Sequence, residues 1–373
     1  MTPPNNDNRV LLVLPSWVGD ACMVTPALVH IRESLPGAFI GAMARPGIDR
    51  LLEGLDTPSG KPVIDELHTV RPSGVMGPKH AAARVRPRRY ARALLFTGSF
   101  STALAVRVAG VPERIGYDRD GRGFLLTRRL KPPRTDRGDW AVVPAVSYYW
   151  HAARALLDPH APDSLDAPAL SDRTRVSIEP PPDAAMRLPI THTDNAEAAA
   201  VRASAGIQGP TAILNPGGNN PAKRWPADRF AALADHLADR HGLTVLLNGS
   251  PAEAELCRQI AASARTQPLV LPDHAHTLGS LKALARDARI MVTNDTGPRH
   301  IAAAVGTPLV SLFGPTDPRW TTIPVPPERE AILVADETLP PDQVSNDHPQ
   351  RCAIEHIPLD AVIAATDGML MGA

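Results

Sequence analysis

Cysteine, lysine and aromatic side chains are all scarce in this 373-residue chain, and it has no long apolar run. The three cysteines, Cys22, Cys257 and Cys352, lie far apart and show no CxxC spacing. That count and spacing argue against a disulfide framework and against a cysteine zinc site. Aromatics make up 4% of the residues and do not interleave with the arginines. A stacking surface for nucleic acid is therefore not expected. The first apolar run, Val10–Leu14, stops at Pro15 and is too short to span a bilayer. The opening MTPPNNDN lacks the basic start of a secretory signal, so a cytoplasmic protein is expected. Neither GxxxxGK[ST] nor GxGxxG occurs at the loops that matter below, which removes the two commonest phosphate fingerprints.

What is present points to two globular domains. The length exceeds the usual span of one core. Hydrophobic residues at 43% and charged residues at 21% describe a folded chain, not a disordered one. A net charge of zero hides a split. Residues 1–190 carry 25 Lys/Arg against 19 Asp/Glu, whereas residues 191–373 carry 14 against 20. The segment 71–137 is sharper, with 16 basic and four acidic residues. Such asymmetry suits an anionic partner. Only five lysines occur (Lys61, Lys79, Lys131, Lys223, Lys282), so arginine-rich base composition explains the same excess equally simply.

Short apolar runs followed by helical spacing recur through both halves. Arg9–Pro15, Phe39–Ala44, Ala93–Thr97 and Arg114–Tyr117 read as strands in the first half. Thr211–Asn215, Leu243–Leu247, Leu269–Leu271, Arg289–Thr293 and Pro308–Phe313 do so in the second. Continuous rather than alternating apolar residues suit parallel sheets covered on both faces. Helices are expected over Ala227–Arg240, Ala252–Ala264, Ser280–Ala288 and Pro358–Leu370. Another starts at Thr25-Pro26, leaving Ser16–Met23 as a loop. Residues 158–195, with Glu179-Pro-Pro-Pro182, read as the linker between two doubly wound α/β domains.

Ligands of open parallel sheets bind beyond the carboxyl ends of the strands. Four loops there carry candidate chemistry. In Ser16-Trp17-Val18-Gly19-Asp20, Asp20 is placed either as a general base or as a helix cap. In Asn215-Pro-Gly-Gly218-Asn219-Asn-Pro-Ala-Lys223, paired glycines expose amides and Lys223 offers a point charge for phosphate. A solvated turn is the alternative. In Asn294-Asp295-Thr296-Gly297-Pro298-Arg299-His300, a strand leads directly into a helix whose N-terminus suits an anion. His300 lies one turn in, as a ligand group or a structural histidine. In Asn248-Gly249-Ser250-Pro251-Ala252-Glu253, Glu253 is either a ribose ligand or a first-turn acid. Asp118-Arg119-Asp120 matches the DxD pattern formally, yet its arginine and glycine neighbours suit a solvated turn.

RVLLVLPSWVGD…TPAL, NPGG…AKRWP and TNDTGPRHIAAAVGTPLVSLFGPTDP, in this order, resemble the bacterial ADP-heptose–lipopolysaccharide heptosyltransferases, glycosyltransferase family 9. RRYARALLFTGSFSTALAVRVAGVPERIGYDRDGRG and LTVLLNGSP agree too, and PSWVGD is nearer to the family's second enzymes than to its first. The resemblance implies a GT-B fold, with two Rossmann-like domains facing a cleft. Residues 1–190 would bind acceptor, 191–357 the donor, and the 358–373 helix would pack back toward the first domain. It implies inverting, metal-independent transfer of heptose from ADP-heptose to the inner core of lipopolysaccharide, without a cofactor. Asp20 matches the catalytic base and Lys223 the phosphate-contacting lysine. Asp295, Thr296, Gly297 and His300 match the nucleotide-diphosphate loop. Gly218 and Asn219 stand where hydroxyl residues occur in relatives, and Pro298 where an aliphatic residue is usual. Glu253 would take the ribose and His276 would lie beside the adenine. Ser16, Trp17, Arg119 and Arg122 are acceptor candidates, and the basic segment would meet the anionic acceptor or the cytoplasmic membrane face. A relative using another nucleotide sugar and a catalytically silent nucleotide-sugar-binding protein remain the alternatives.

Overall fold

A computed structural model describes residues 8–72, 74–135, 138–181 and 184–372. Pro182 of the linker signal, and Ser73, Asp136 and Arg137 of the basic segment, lie outside the described residues. The chain forms two compact units, residues 1–168 with 177–189 and residues 169–176 with 190–373.

The first unit carries β1 (Arg9–Val13), α1 (Val18–Met23), α2 (Thr25–Ser34), β2 (Phe39–Ala44), α3 (Ile48–Leu52) and β3 (Glu66–Thr69). It continues with α4 (Gly77–Val85), β4 (Arg92–Leu95), α5 (Phe100–Ala109), β5 (Glu113–Tyr117), β6 (Arg128–Leu130) and α6 (Ala145–Leu157). Its sheet is wholly parallel, in the order β3-β2-β1-β4-β5-β6. β1 pairs with β2 on one side, Val10 against Ile40, and with β4 on the other, Leu12 against Leu94.

The second unit carries α7 (His192–Ala205), β7 (Thr211–Asn215), α8 (Ala227–His241), β8 (Thr244–Leu247), α9 (Ala254–Ser263) and β9 (Leu269–Val270). After these come α10 (Leu278–Asp287), β10 (Ile290–Asn294), α11 (Gly297–Val305), β11 (Leu309–Phe313), β12 (Glu330–Val334) and α12 (Leu359–Met371). Its parallel sheet runs β12-β11-β10-β7-β8-β9, which is the same winding. In each unit the first and fourth strands are neighbours, and the crevice where strand order reverses lies between their carboxyl ends.

Three strands escape the sequence reading, β3, β6 and β12, and all three are sheet edges. Edge strands are covered less, so ELHT and RRL need no apolar run. The stretch Ser16–Met23 is not a loop, because α1 occupies Val18–Met23. Pro26 lacks the N–H that would continue this helix into the next, and Thr25 Oγ1 donates to Cys22 O at 2.7 Å instead. One helical path is thereby broken into α1 and α2.

Residues 169–176, which the sequence assigns to the first domain, belong with the second unit. Arg173 donates to Gln343 O and Ser345 Oγ, both at 2.9 Å, and Arg175 pairs with Glu330 at 3.0 Å. The final helix, expected to pack back toward the first domain, buries Val362 and Thr366 within the second unit. Its neighbours there are α8, β10, β11 and β12. Trp225, fully enclosed in that core, donates from Nε1 to Ile357 O at 2.9 Å and holds the start of α12.

Candidate active site

In the second unit the loops after β7 and β10 flank the switch crevice. Thr296 caps α11 with extended backbone but makes no side-chain cap bond. Its hydroxyl instead accepts from Asn215 Nδ2 at 2.8 Å and donates to Asn294 O at 3.3 Å. Pro298 occupies the first turn. The α11 start is thus tied to β7 while its amide end carries no side-chain acceptor, the arrangement that suits an anion.

Lys223 sits in a single 3-10 turn, Pro221–Lys223, and its Nζ lies 2.9 Å from Asp295 Oδ2. Thr316 Oγ1 donates to the same oxygen at 3.1 Å. Burial would raise the Asp295 carboxyl, but Lys223 and Arg299 overcome it and hold the pKa below the ordinary value. Lys223 is therefore a positioned charge rather than a mobile one.

His300 is buried, and its Nδ1 has no hydrogen-bond partner among the described residues. Burial, reinforced by Arg299, pushes its pKa down to about 3, so the imidazole is neutral. Beneath it Arg299 is fully buried, paired with Glu330 at 2.7 Å and stacked 4.9 Å from the Phe313 ring. This pair anchors the first turn of α11 to β12.

The glycine turn differs from expectation. Gly218 N donates to Glu253 Oε1 at 2.7 Å, so this amide faces a carboxylate and is not open to an anion. Glu253 Oε2 accepts from Ser250 N at 2.8 Å and Ser250 Oγ at 2.7 Å in a capping box. Burial raises the Glu253 carboxyl, yet these bonds bring it below its ordinary value. Glu253 thus stands as a first-turn acid and also braces the glycine turn. A Cβ at Gly217 would stand 2.2 Å from Glu253 Oε1, so a side chain there would push the carboxylate off the glycine turn. Asn219 is exposed.

His276 accounts for both ring nitrogens within the protein. Nε2 bonds Asn248 Oδ1 at 2.9 Å and Nδ1 bonds Ser280 Oγ at 2.9 Å. Burial lowers its pKa to about 4. Asn248 Nδ2 in turn donates to Asn215 Oδ1 at 2.6 Å. A polar chain therefore runs from His276 through Asn248 and Asn215 to Thr296, across the ends of β8, β7 and β10.

In the first unit Asp20 is the third residue of α1, and Trp17 occupies the cap without a side-chain bond. Asp20 is thus not the cap. Tyr149 of α6 donates from its hydroxyl to Asp20 Oδ1 at 2.8 Å. Burial and the Asp20 charge push the Tyr149 pKa well above its ordinary value, so the phenol remains a donor. Ser16 is half-buried and Trp17 is 66% exposed.

The Asp118–Asp120 turn is solvated, as read from sequence, but Arg122 is not. It is fully buried, donating to Tyr117 O at 3.1 Å and Ser99 O at 3.4 Å, and its Nη2 has no partner among the described residues. Burial lowers its pKa to about 10, which leaves it charged. Arg119 and Arg134 lie over the Trp140 ring, 4.8 and 4.3 Å from its centre. Tyr148 stacks on Tyr117 at 3.6 Å, and burial raises it to about 12 against the opposing pull of Arg119. Other arginines of the basic segment serve the fold. Arg114 donates to Leu125 O and Val111 O, and Arg128 to Ala155 O and Ala161 O.

The family described as glycosyltransferase family 9 (heptosyltransferase) matches residues 80–351. The chain belongs to glycosyltransferase family 9. Lipopolysaccharide heptosyltransferase 2 of Escherichia coli K12 is 30% identical over 325 residues, covering 84% of each chain. The structure of E. coli ADP-heptose lipopolysaccharide heptosyltransferase II is similar at a TM-score of 0.73, with 24% identity over 97% of this chain and 98% of that one. An E. coli heptosyltransferase solved with ADP-2-deoxy-2-fluoro heptose gives 0.63, with 18% identity over 96% and 99%. The fold is GT-B, and this family 9 member is a glycosyltransferase.

The residues singled out from the sequence fall into two groups, one per unit. Lys223, Asp295, Thr296, Gly297 and His300 gather at the second crevice, with Gly218, Glu253 and His276 on the flank toward β8. Asp20 and the Arg119–Arg122 turn belong to the first unit. Sequence reasoning missed Tyr149 and Tyr148, although two of only four tyrosines stand side by side in an apolar helix. It also missed Asn215 and Asn248, the terminal polar residues after buried strands, which is the signal that finds them.

Proposed function

We propose that this family 9 enzyme transfers heptose from ADP-heptose to the anionic inner core of lipopolysaccharide, with inversion and without a metal. The observation that carries the reading is the pairing of Lys223 with Asp295 beside the start of α11, whose cap makes no side-chain bond to the amides. A fixed cation and a helix N-terminus at the switch crevice suit the diphosphate of a nucleotide sugar. The neutral His300 would add a hydrogen bond, and its orphaned buried Nδ1 supports that use. The adenosine would lie toward β8, with the ribose near Glu253 and the base near His276.

In this reading Asp20, held by Tyr149, accepts the proton of the acceptor hydroxyl. The oxygen attacks the anomeric carbon from the face opposite the diphosphate, through an oxocarbenium-like state. As the bond to ADP breaks, Lys223 and the α11 amides meet the charge growing on the leaving diphosphate. Arg119 would receive the acceptor's acidic groups, with Ser16 and Trp17 as further acceptor contacts, whereas the enclosed Arg122 holds the turn and does not reach the acceptor. No helix of the described residues is long and apolar enough to cross a membrane. In this reading the enzyme works in the cytoplasm, meeting the lipid-borne acceptor at the inner face of the membrane.

Calorimetric titration with ADP, ADP-heptose, UDP and GDP tests the donor. Selective binding of the adenine nucleotides is expected. Preference for UDP or GDP would remove heptose from the reading, and no binding would remove the enzyme itself.

A further inference from the structure

Away from the crevice, α8 and α12 meet through three side chains for which the transfer reaction has no use. His236 Nε2 lies 2.8 Å and His241 Nε2 2.7 Å from the same oxygen, Asp367 Oδ1. The two rings are 5.7 Å apart between centres, and each of the three side chains is about one-fifth exposed. Among the described residues this is the one trio of His, Cys, Asp or Glu whose ligand atoms all lie within 4.8 Å of one another.

Helix electrostatics account for the histidine at the end of α8 but not for the carboxylate near the end of α12. His241 is the last residue of α8, and Asp367 stands about one turn from the end of α12. Both helix ends present the negative pole, where a carboxylate is unfavourable and a cation is favoured. The last turn of α12 has no basic residue to answer it.

We infer that His236, His241 and Asp367 form a binding site for one borderline divalent transition ion, such as Zn²⁺, that fastens the end of α12 to α8. Tetrahedral zinc with ligands at about 2.0–2.2 Å needs donor atoms roughly 3.3 Å apart. The two His–Asp distances reach that by opening about half an ångström. On binding, each imidazole coordinates through Nε2 as its neutral Nδ1–H tautomer, any second proton passing to solvent, and solvent completes the ion's shell. Two nitrogen donors out of three select zinc-like ions over Mg²⁺ or Ca²⁺. The site is independent of the transfer chemistry proposed above and does not enter it.

Its consequence is mechanical. The start of α12 is held through Ile357 O, which accepts from Trp225 and Arg229. Beyond that, only Val362 and Thr366 of the helix are fully buried. Leu359, Ile363, Met369 and Leu370 pack half-buried against the core, and the trio is the polar tie at the far end that a metal would lock.

The test uses the full chain, stripped with a chelator and desalted. Titration with ZnCl₂ is expected to show one ion per chain by calorimetry and a saturable rise in the thermal midpoint, and MgCl₂ no rise. His236→Gln and His241→Gln should each weaken binding at least ~10-fold, since even outer-shell losses cost that much. Titration of the unchanged chain with Co²⁺ should give visible absorption bands, so the inference does not depend on a variant's folding. No saturable Zn²⁺ binding, absent Co²⁺ bands, or native affinity kept in both variants would overturn it.

Discussion

Tyr149 donates its hydroxyl hydrogen to Asp20 Oδ1 at 2.8 Å, joining two residues 129 positions apart. Tyr149 is buried and packs edge-on to Phe96 at 5.8 Å, so the phenol has one orientation. The carboxylate of α1 is thereby fixed by α6. A base must be held in a defined direction to accept a proton, and a single exposed rotatable carboxylate is not.

Asp20→Asn removes the proposed base without changing size. Transfer is expected to fall by about 10²–10⁴-fold while ADP affinity stays within about twofold. Steady-state kinetics and calorimetry on one preparation read both, and near-native turnover would dismiss Asp20.

Tyr149→Phe should lower kcat by about tenfold, corresponding to one hydrogen bond to a charged group. Donor affinity should not move. A purely structural tyrosine would instead show as a lower unfolding midpoint with kcat unchanged.

Lys223→Ala and Asp295→Asn belong to one interaction and should not add. Lys223→Ala is expected to weaken ADP by about 1.5–3 kcal/mol, the range for a charged hydrogen bond. Asp295→Asn should weaken it less, because Lys223 remains but loses its anchor. Calorimetric Kd values around the double-mutant cycle should give a coupling of about 0.5–3 kcal/mol. Strict additivity would mean that Asp295 does not position Lys223.

Stability should fall as pH drops below about 6.5. Burial lowers His276 to about 4 and His300 to about 3, from an ordinary 6.5. Between those values the unfolded chain takes up protons that the folded chain refuses. The stabilisation is complete above pH 6.5 and is lost as pH falls toward the folded values. Its slope is at most about 1.4 kcal/mol per pH unit for each histidine. Denaturant midpoints between pH 7 and pH 5 should show it, and His276→Gln should flatten the curve. An unchanged slope in that variant would remove His276 as a source.

Arg299→Met leaves Glu330 buried with Arg175 as its remaining ion-pair partner. Breaking such a pair typically costs about 3–5 kcal/mol, so the second unit should unfold much earlier. Calorimetric scanning would read this, and a shift below about 1 kcal/mol would show that the pair does not anchor α11.

The central strands were legible in the sequence because each is covered on both faces and must be apolar throughout. Phe39–Ala44 and Thr211–Asn215 are read there without error at either end. The loops after them were legible for a related reason, since glycine, proline and a helix start have few structural meanings side by side. Thr296 caps α11 and Pro298 stands in its first turn at the end of one such loop. The edge strands β3 and β6 were not, because ELHT and RRL, covered on less of their surface, carry no apolar run.

The partners of the site residues were decided only in three dimensions. That Asp20 meets Tyr149, Lys223 meets Asp295, and Glu253 grips Gly218 N depends on which strands become neighbours. Strand order is set by the crossovers, not by local sequence. The buried Arg122 makes the same point, for an arginine in a basic turn looks solvated until Tyr117 O and Ser99 O are placed beside it. The sequence by itself determined the elements and the residue types at their ends, through propensity and apolar periodicity. The tertiary structure decided which of those polar groups are paired, neutral or charged, because burial and contact are properties of the assembled sheet.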